Sequence, residues 1–100
     1  MGQSAREKPA RLGEKLLHIR LSLDLSQNEI IKRLGLEEKL TRENVSAFER
    51  GVREPSLIVL LEFARLAGVY IDALVDDAIN LPEKLPASQS YRWSVLRSKR

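Results

Sequence analysis

Cysteine is absent from the chain, and histidine, methionine and tryptophan occur once each. Without cysteine there is no disulfide framework, no thiolate nucleophile and none of the common thiolate zinc sites, and the composition fits a reducing compartment. A lone His18 cannot form a histidine metal cluster or plausibly complete a Ser-His-Asp set. No apolar run approaches the length of a membrane span, and the opening stretch MGQSAREKPAR carries no hydrophobic segment of the secretory kind. A cytoplasmic location without membrane partners is the expectation. Met1-Gly2 would suit myristoylation only with Ser or Thr where Arg6 stands, and Asn44-Val45-Ser46 is a chance glycosylation tripeptide if the chain is not secreted. A Gly-rich phosphate loop and framed pairs of carboxylates are also missing. Neither an enzyme nor a cofactor or metal is expected.

What is present is the composition of one small folded domain: 100 residues, 43% hydrophobic and 31% charged. The net charge of +3 says little, but its distribution is uneven. Residues 1–35 hold seven basic and four acidic side chains, residues 56–80 one and four, and residues 81–100 five and one. This asymmetry suits a molecule with a basic binding face and an acidic or neutral far side.

The most structured stretch is SQNEIIKRLGLEEKLTRENVSAFERG, Ser26 to Gly51. Ser26 can cap the first free N–H groups of a helix, Glu29 can reach back to it, and Leu25 and Ile30 flank the cap as a hydrophobic staple. Gly35 should end that helix in the left-handed conformation, with Leu36 folding back onto the core. The arrangement then repeats, with Leu40 before a capping Thr41, Val45 as staple partner and Gly51 as the stop. Two short capped helices in succession are a helix-turn-helix candidate.

Upstream, residues 1–10 read as a flexible arm that could reach a minor groove. A first helix is expected from about Ala10 to Leu23, burying Leu12, Leu16, Ile19 and Leu23, with Asp24 tolerating a left-handed turn. Leu17 and Leu21 form a second apolar stripe on it. Downstream, Glu54-Pro55-Ser56 breaks the chain and Ser56 caps a helix running to about Ala67, stopped by Gly68. A short fifth helix is expected over Ile71 to Asp77, with Leu74 inward. Tyr70, before it, could either contact a partner or cap the core. From Leu81 the two prolines Pro82 and Pro86 exclude a regular helix, and an extended basic tail over 79–100 follows the domain at 11–78. The Leu81–Leu85 segment is expected to run back across the first helix and cover Leu17 and Leu21, either in its own subunit or in the dimer partner.

Leu12-Gly13-Glu14-Lys15-Leu16 with Arg20, Leu25-Ser26-Gln27, Leu34-Gly35, Val45-Ser46, Glu49-Arg50-Gly51, and Arg53 with Pro55-Ser56 together resemble the lambda repressor/Cro-like (Xre-type) helix-turn-helix family. The likeness runs from about Leu12 to Asp76. It departs where the family has a small Ala at Ile31, and in the turn from Gly35 to Thr41, which is longer by about four residues, close to one helical turn. The resemblance implies an all-α, compact five-helix domain that binds double-stranded DNA as a transcriptional regulator, in the repressor manner, as a homodimer on a palindromic operator. It places Arg42, Glu43, Asn44 and Ala47 at base-facing positions, where Arg suits guanine, Glu cytosine, Asn adenine and Ala a thymine methyl. Gln27, Arg50 and Arg53 fall at phosphate-binding positions, and Arg20 pairs with Glu49 to lock the first helix onto the second motif helix. A protein-interaction module, such as an antitoxin whose C-terminal tail binds a partner protein, is the alternative.

Overall fold

The computed structural model describes residues 8–86. Within them the chain is helical throughout its regular structure: α1 (Leu12–Ser22), α2 (Gln27–Leu34), α3 (Arg42–Glu49), α4 (Leu57–Ala67) and α5 (Asp72–Val75). The first seven residues of the arm, and the tail from 87 onward with Tyr91 and Trp93, lie outside the described residues.

The local signals act as the sequence predicts at α2, α3 and α4. Ser26 Oγ accepts from Glu29 N at 3.0 Å while Ser26 N donates to Glu29 Oε1 at 2.7 Å, which satisfies two of the free donors of α2. Gly35 closes that helix at φ 73°, where a side chain would be strained, and Leu36 N then reaches back to Ile31 O at 3.1 Å. The longer turn is itself organised. Lys39 N and Leu40 N both donate to Leu36 O at 2.9 Å, and Leu36 is buried with Leu40 half-buried behind it. The extra residues thus form one hydrogen-bonded turn whose ends are pinned to the core. Ser56 Oγ caps α4 through Val59 N at 3.3 Å.

Three expectations about boundaries are corrected. α1 is shorter at both ends than Ala10 to Leu23, and α5 is a single turn rather than seven residues. α3 stops at Glu49, with Arg50 as its cap, and Gly51 at φ 75° turns the chain one residue further on.

The core is drawn from all five helices, with Leu16 and Ile19 of α1, Ile30 of α2, Val45 of α3, Phe63 of α4 and Leu74 of α5 essentially inaccessible to solvent. Ile31, where the resembled pattern has a smaller residue, is also buried in it. Gly13 shows why α1 and α3 lie so close: a Cβ there would stand 2.8 Å from the carbonyl oxygens of both Phe48 and Glu49. Only a glycine lets the start of α1 rest on the end of α3.

The segment after α5 does not do what its leucines led us to expect. Leu85 enters the core and is completely buried, and Leu81 packs half-buried against it. Leu21 nevertheless remains 59% exposed and Leu17 half-exposed, so the segment does not cover the second stripe of α1 within its own chain. Residues 80–83 instead lie along Arg11, Glu14, Lys15 and His18, a different face of α1. Burial of one leucine contributes about 1.5–3 kcal/mol, so Leu85 belongs to the packed unit. Tyr70 is 85% exposed and does not cap the core.

What draws the chain to that face of α1 is Lys15, only 2% exposed. Its ammonium donates to the carbonyl oxygens of Ala73 and Asp76 at 2.9 Å and of Ile79 at 2.7 Å. Ala73 O belongs to the single turn of α5, Asp76 O stands just past its end and also accepts from Ile79 N at 3.0 Å, and Ile79 O lies beyond it; a cation beside them suits the negative end of the helix dipole. Burial lowers the lysine's pKa, with Arg11 acting in the same direction, against the opposing pull of Asp77, Asp76 and Glu14. Asp77 returns the favour at the other end of the same contact. Its carboxylate accepts from Ala10 N at 2.8 Å and Arg11 N at 3.0 Å and so caps α1, which has no capping side chain of its own. Arg11 Nη1 adds a bond to Asp77 O at 2.9 Å.

Candidate nucleic-acid interface

Helix α3 is built with one end free and one end held. At the free end Thr41 Oγ1 accepts from Asn44 N at 3.2 Å and Asn44 Oδ1 accepts from Thr41 N at 2.9 Å, a capping box closed by Asn in place of Glu. Thr41, Arg42 and Glu43 stand exposed around that start, while Val45 and Phe48 turn inward and anchor the opposite face. Ala47 is half-buried, one turn further along from Glu43. The cap alters what Asn44 can offer. One lone pair of its Oδ1 is engaged with Thr41 N, so an adenine would have to be read through the other lone pair and the amide N–H groups.

The held end is a network around Glu49. Arg20 Nε donates to Glu49 Oε2 at 2.6 Å and Arg20 Nη2 donates to Glu49 Oε1 at 3.0 Å, a two-pronged pair with side chains only 14% and 7% exposed. Arg20 Nη1 donates onward to Leu25 O at 3.0 Å, so the same guanidinium also holds the turn before α2. The hydrogen bond to Glu49 is the main reason that the guanidinium is held above its ordinary pKa, with desolvation acting against it. Gln27, at the start of α2, donates Nε2 to Glu49 Oε1 at 3.2 Å. One residue pattern, Arg20–Glu49–Gln27, therefore joins α1, α2 and α3, and the crossing of the two motif helices is fixed by side chains as well as by the core.

Beyond the held end, Val52 N and Arg53 N both donate to Ala47 O, at 3.0 and 3.3 Å, and tie down the loop after α3. Arg50 and Arg53 are exposed on that loop, and Arg50 Nε donates to Ser46 Oγ at 3.2 Å. The structure thus brings Arg42 and Glu43 together at one end of α3 and Arg50 and Arg53 together at the other.

Sequence reasoning missed three contacts: the Asn44 cap, the Gln27–Glu49 bond, and the Lys15 and Asp77 bonds that join α1 to the α5 end. The spacing Thr41-x-x-Asn44 is that of a capping box and was open to being read as one. The Gln27 bond to Glu49 had no signal, because the partners are 22 positions apart and neither side chain needs the other by type. Lys15 and Asp77 carry no local signal of their contacts, because their partners are backbone groups 58 to 67 positions away.

Among the described residues no group of His, Asp and Glu could hold a metal ion, and no helix is long and apolar enough to cross a membrane. Two capped helices joined by an ordered turn, the second with an exposed start and a braced end, define a helix-turn-helix DNA-binding domain. The HTH_3 family model, described as helix-turn-helix, matches residues 16–74, more than half of the chain. The protein belongs to this family, the Cro/C1-type helix-turn-helix proteins, which are DNA-binding regulators and generally not enzymes. No curated protein and no solved structure matches the chain.

Proposed function

We propose that the protein is a sequence-specific repressor that binds a palindromic operator as a homodimer, with α3 in the major groove. The observation that carries this reading is the construction of α3: its start is exposed and locally capped, so it is free to meet base edges, while its end is locked by Glu49 to Arg20 and Gln27. A reading helix needs both, since base-edge hydrogen bonds demand a fixed angle and depth. Arg42 and Glu43 read bases from the exposed start, Asn44 through the donors left by its cap, and Ala47 by contact with a thymine methyl. Arg50 and Arg53 bind backbone phosphates past the end of α3, and Gln27 with the N–H groups at the start of α2 binds another. One such head contacts few bases; two, about 34–36 Å apart on one face of the duplex, supply a selective site.

The test is selection of DNA by the purified protein from a random pool, followed by titration of the selected duplex. A palindrome bound by two chains is expected. One chain per site, or no enriched sequence, would overturn the reading. On the selected duplex Arg42→Ala should relax preference at one base-pair position by about 1–3 kcal/mol, whereas Arg53→Ala should weaken all sequences alike and flatten the salt dependence. An equal loss on every sequence from Arg42→Ala would mean that α3 is misplaced in the groove.

A further inference from the structure

The start of α1 lies against the end of α3, and this contact brings a third basic side chain to the Arg50/Arg53 edge. Gly13 sits on the carbonyls of Phe48 and Glu49 with Gly51 N close by, so whatever precedes α1 leaves the domain beside the loop that carries Arg53. Two adjoining grooves record the outcome. Both are lined by Lys8, Pro9 and Leu12 from the one side and by Val52, Arg53 and Glu54 from the other. Lys8 and Arg53 are exposed there, and Glu54 is the only acidic group among the residues that line these two grooves.

Lys8 is not left to wander. Two and three residues after it the backbone N–H groups of Ala10 and Arg11 are both bound by the Asp77 carboxylate, 67 and 66 positions away in the chain. Between them stands Pro9, whose ring fixes one of its two backbone torsions. An exposed lysine on a freely moving arm pays a large entropy cost to bind an anion; one whose backbone is tied two residues away loses much less on binding.

We propose that Lys8 is a phosphate-contacting cation continuous with Arg53, and that Asp77 is the positioning residue that holds it at the DNA backbone. The proposal rests on the reading above, in which the Arg50/Arg53 edge meets DNA. Lys8 contributes no base preference, because an ammonium meeting a phosphate reads charge alone. Asp77 acts through the backbone of residues 10 and 11, whose N–H groups its carboxylate holds, rather than by touching DNA.

Salt dependence of duplex binding tests both halves with the full-length protein. Each phosphate neutralised contributes about 0.9 to the slope of log affinity against log salt. Lys8→Gln should therefore reduce the slope by about 0.9 per bound chain and weaken every sequence about fivefold at about 0.15 M salt. Asp77→Asn should reduce the slope in the same way, leave the base preference intact, and add nothing once Lys8 is already Gln. Arg53→Gln separates the possible failures. If Arg53→Gln flattens the slope and Lys8→Gln does not, Lys8 is not a phosphate ligand and this inference falls alone. If neither does, the edge itself does not meet DNA and the earlier reading falls with it. If Lys8→Gln flattens the slope and Asp77→Asn does not, or if the two effects simply add, Asp77 is not the positioning residue. Because Lys8 is exposed, its variant keeps the fold, and the result stands even if Asp77→Asn lowers the thermal midpoint.

Discussion

At Arg20, α1 meets the rest of the domain through a full ion pair with Glu49; at Lys15 it meets it through an ammonium among carbonyls. The two contacts are of similar density and opposite logic. Arg20 and Glu49 neutralise each other, and their fork geometry fixes an angle between α1 and α3. Lys15 has no counter-ion within bonding distance among its partners; three backbone dipoles stand in for one. Its partners follow one another closely in the chain, so it gathers a short helix and the extended segment behind it rather than orienting a second rod. On the proposed reading the first contact serves recognition, and the second holds the α5 end of the domain together.

If that division is right, the two sites should fail differently. The largest loss of stability should come from Lys15→Met, which keeps the apolar stem and removes the ammonium. The carbonyls of Ala73 and Ile79 would lose their lysine donor and that of Asp76 would keep only Ile79 N, at a cost of about 3 kcal/mol, lowering the thermal midpoint of so small a domain by about 15 °C. Once folded, at low temperature, the variant should still select the same DNA sequence. A shift of less than a few degrees would show that the carbonyls find water instead.

Glu49→Gln should cost less stability, about 2 kcal/mol, because glutamine keeps one acceptor oxygen for the Arg20 guanidinium while removing the counter-charge. Its effect on DNA selectivity should be larger than that of Lys15→Met, since α3 loses the fixed charge to which both α1 and α2 are bonded. A variant that is destabilised but reads DNA unchanged would dissolve the distinction between the two contacts.

Gly13→Ala sharpens the recognition side of the comparison without touching any charge. The new Cβ collides with two backbone oxygens that cannot rotate away, so α1 must lift off α3. Overpacking of this kind costs about 1–3 kcal/mol, offset by about 1 kcal/mol from the better helix former. Denaturant titration should show a net loss of about 1 kcal/mol, and a gain in stability would mean that α1 and α3 are not in contact at this point.

The smallest effect concerns acid. The backbone donors of Ala10 and Arg11 hold the Asp77 carboxyl below its usual range, and the backbone and hydroxyl of Ser26 do the same for Glu29. With both folded values depressed, the unfolded chain binds more protons as the solution is acidified. The stability that they contribute is complete above the unfolded values, near about pH 4, and is lost as pH falls through the lower folded ones. Asp77→Asn with Glu29→Gln should make the acid limb of a stability-against-pH curve shallower. An acid limb identical to that of the parent protein would remove both carboxylates from the account.

Helices α2, α3 and α4 were legible in the sequence because each is announced locally. Ser26 with Glu29, Thr41 and Ser56 start them, Gly35, Gly51 and Gly68 mark or follow their ends, and these signals act on the backbone within four residues of themselves. The left-handed turn at Asp24 was legible for the same reason. The inward set Leu12, Leu16 and Ile19 followed from helical periodicity, Val45 from its place as staple partner, and Arg20 with Glu49 from the resemblance of the whole pattern to a known family. Tertiary structure alone decided the rest. Lys15 became a buried clamp because α5 ends beside it, Asp77 became a cap for a helix 66 residues upstream, and Leu85 found the core while Leu21 did not. The physical reason is common to all three. Their partners are backbone carbonyls, backbone N–H groups and a gap between helices, which every sequence possesses and none advertises, so the pairing exists only once the fold has brought the two ends of the domain together.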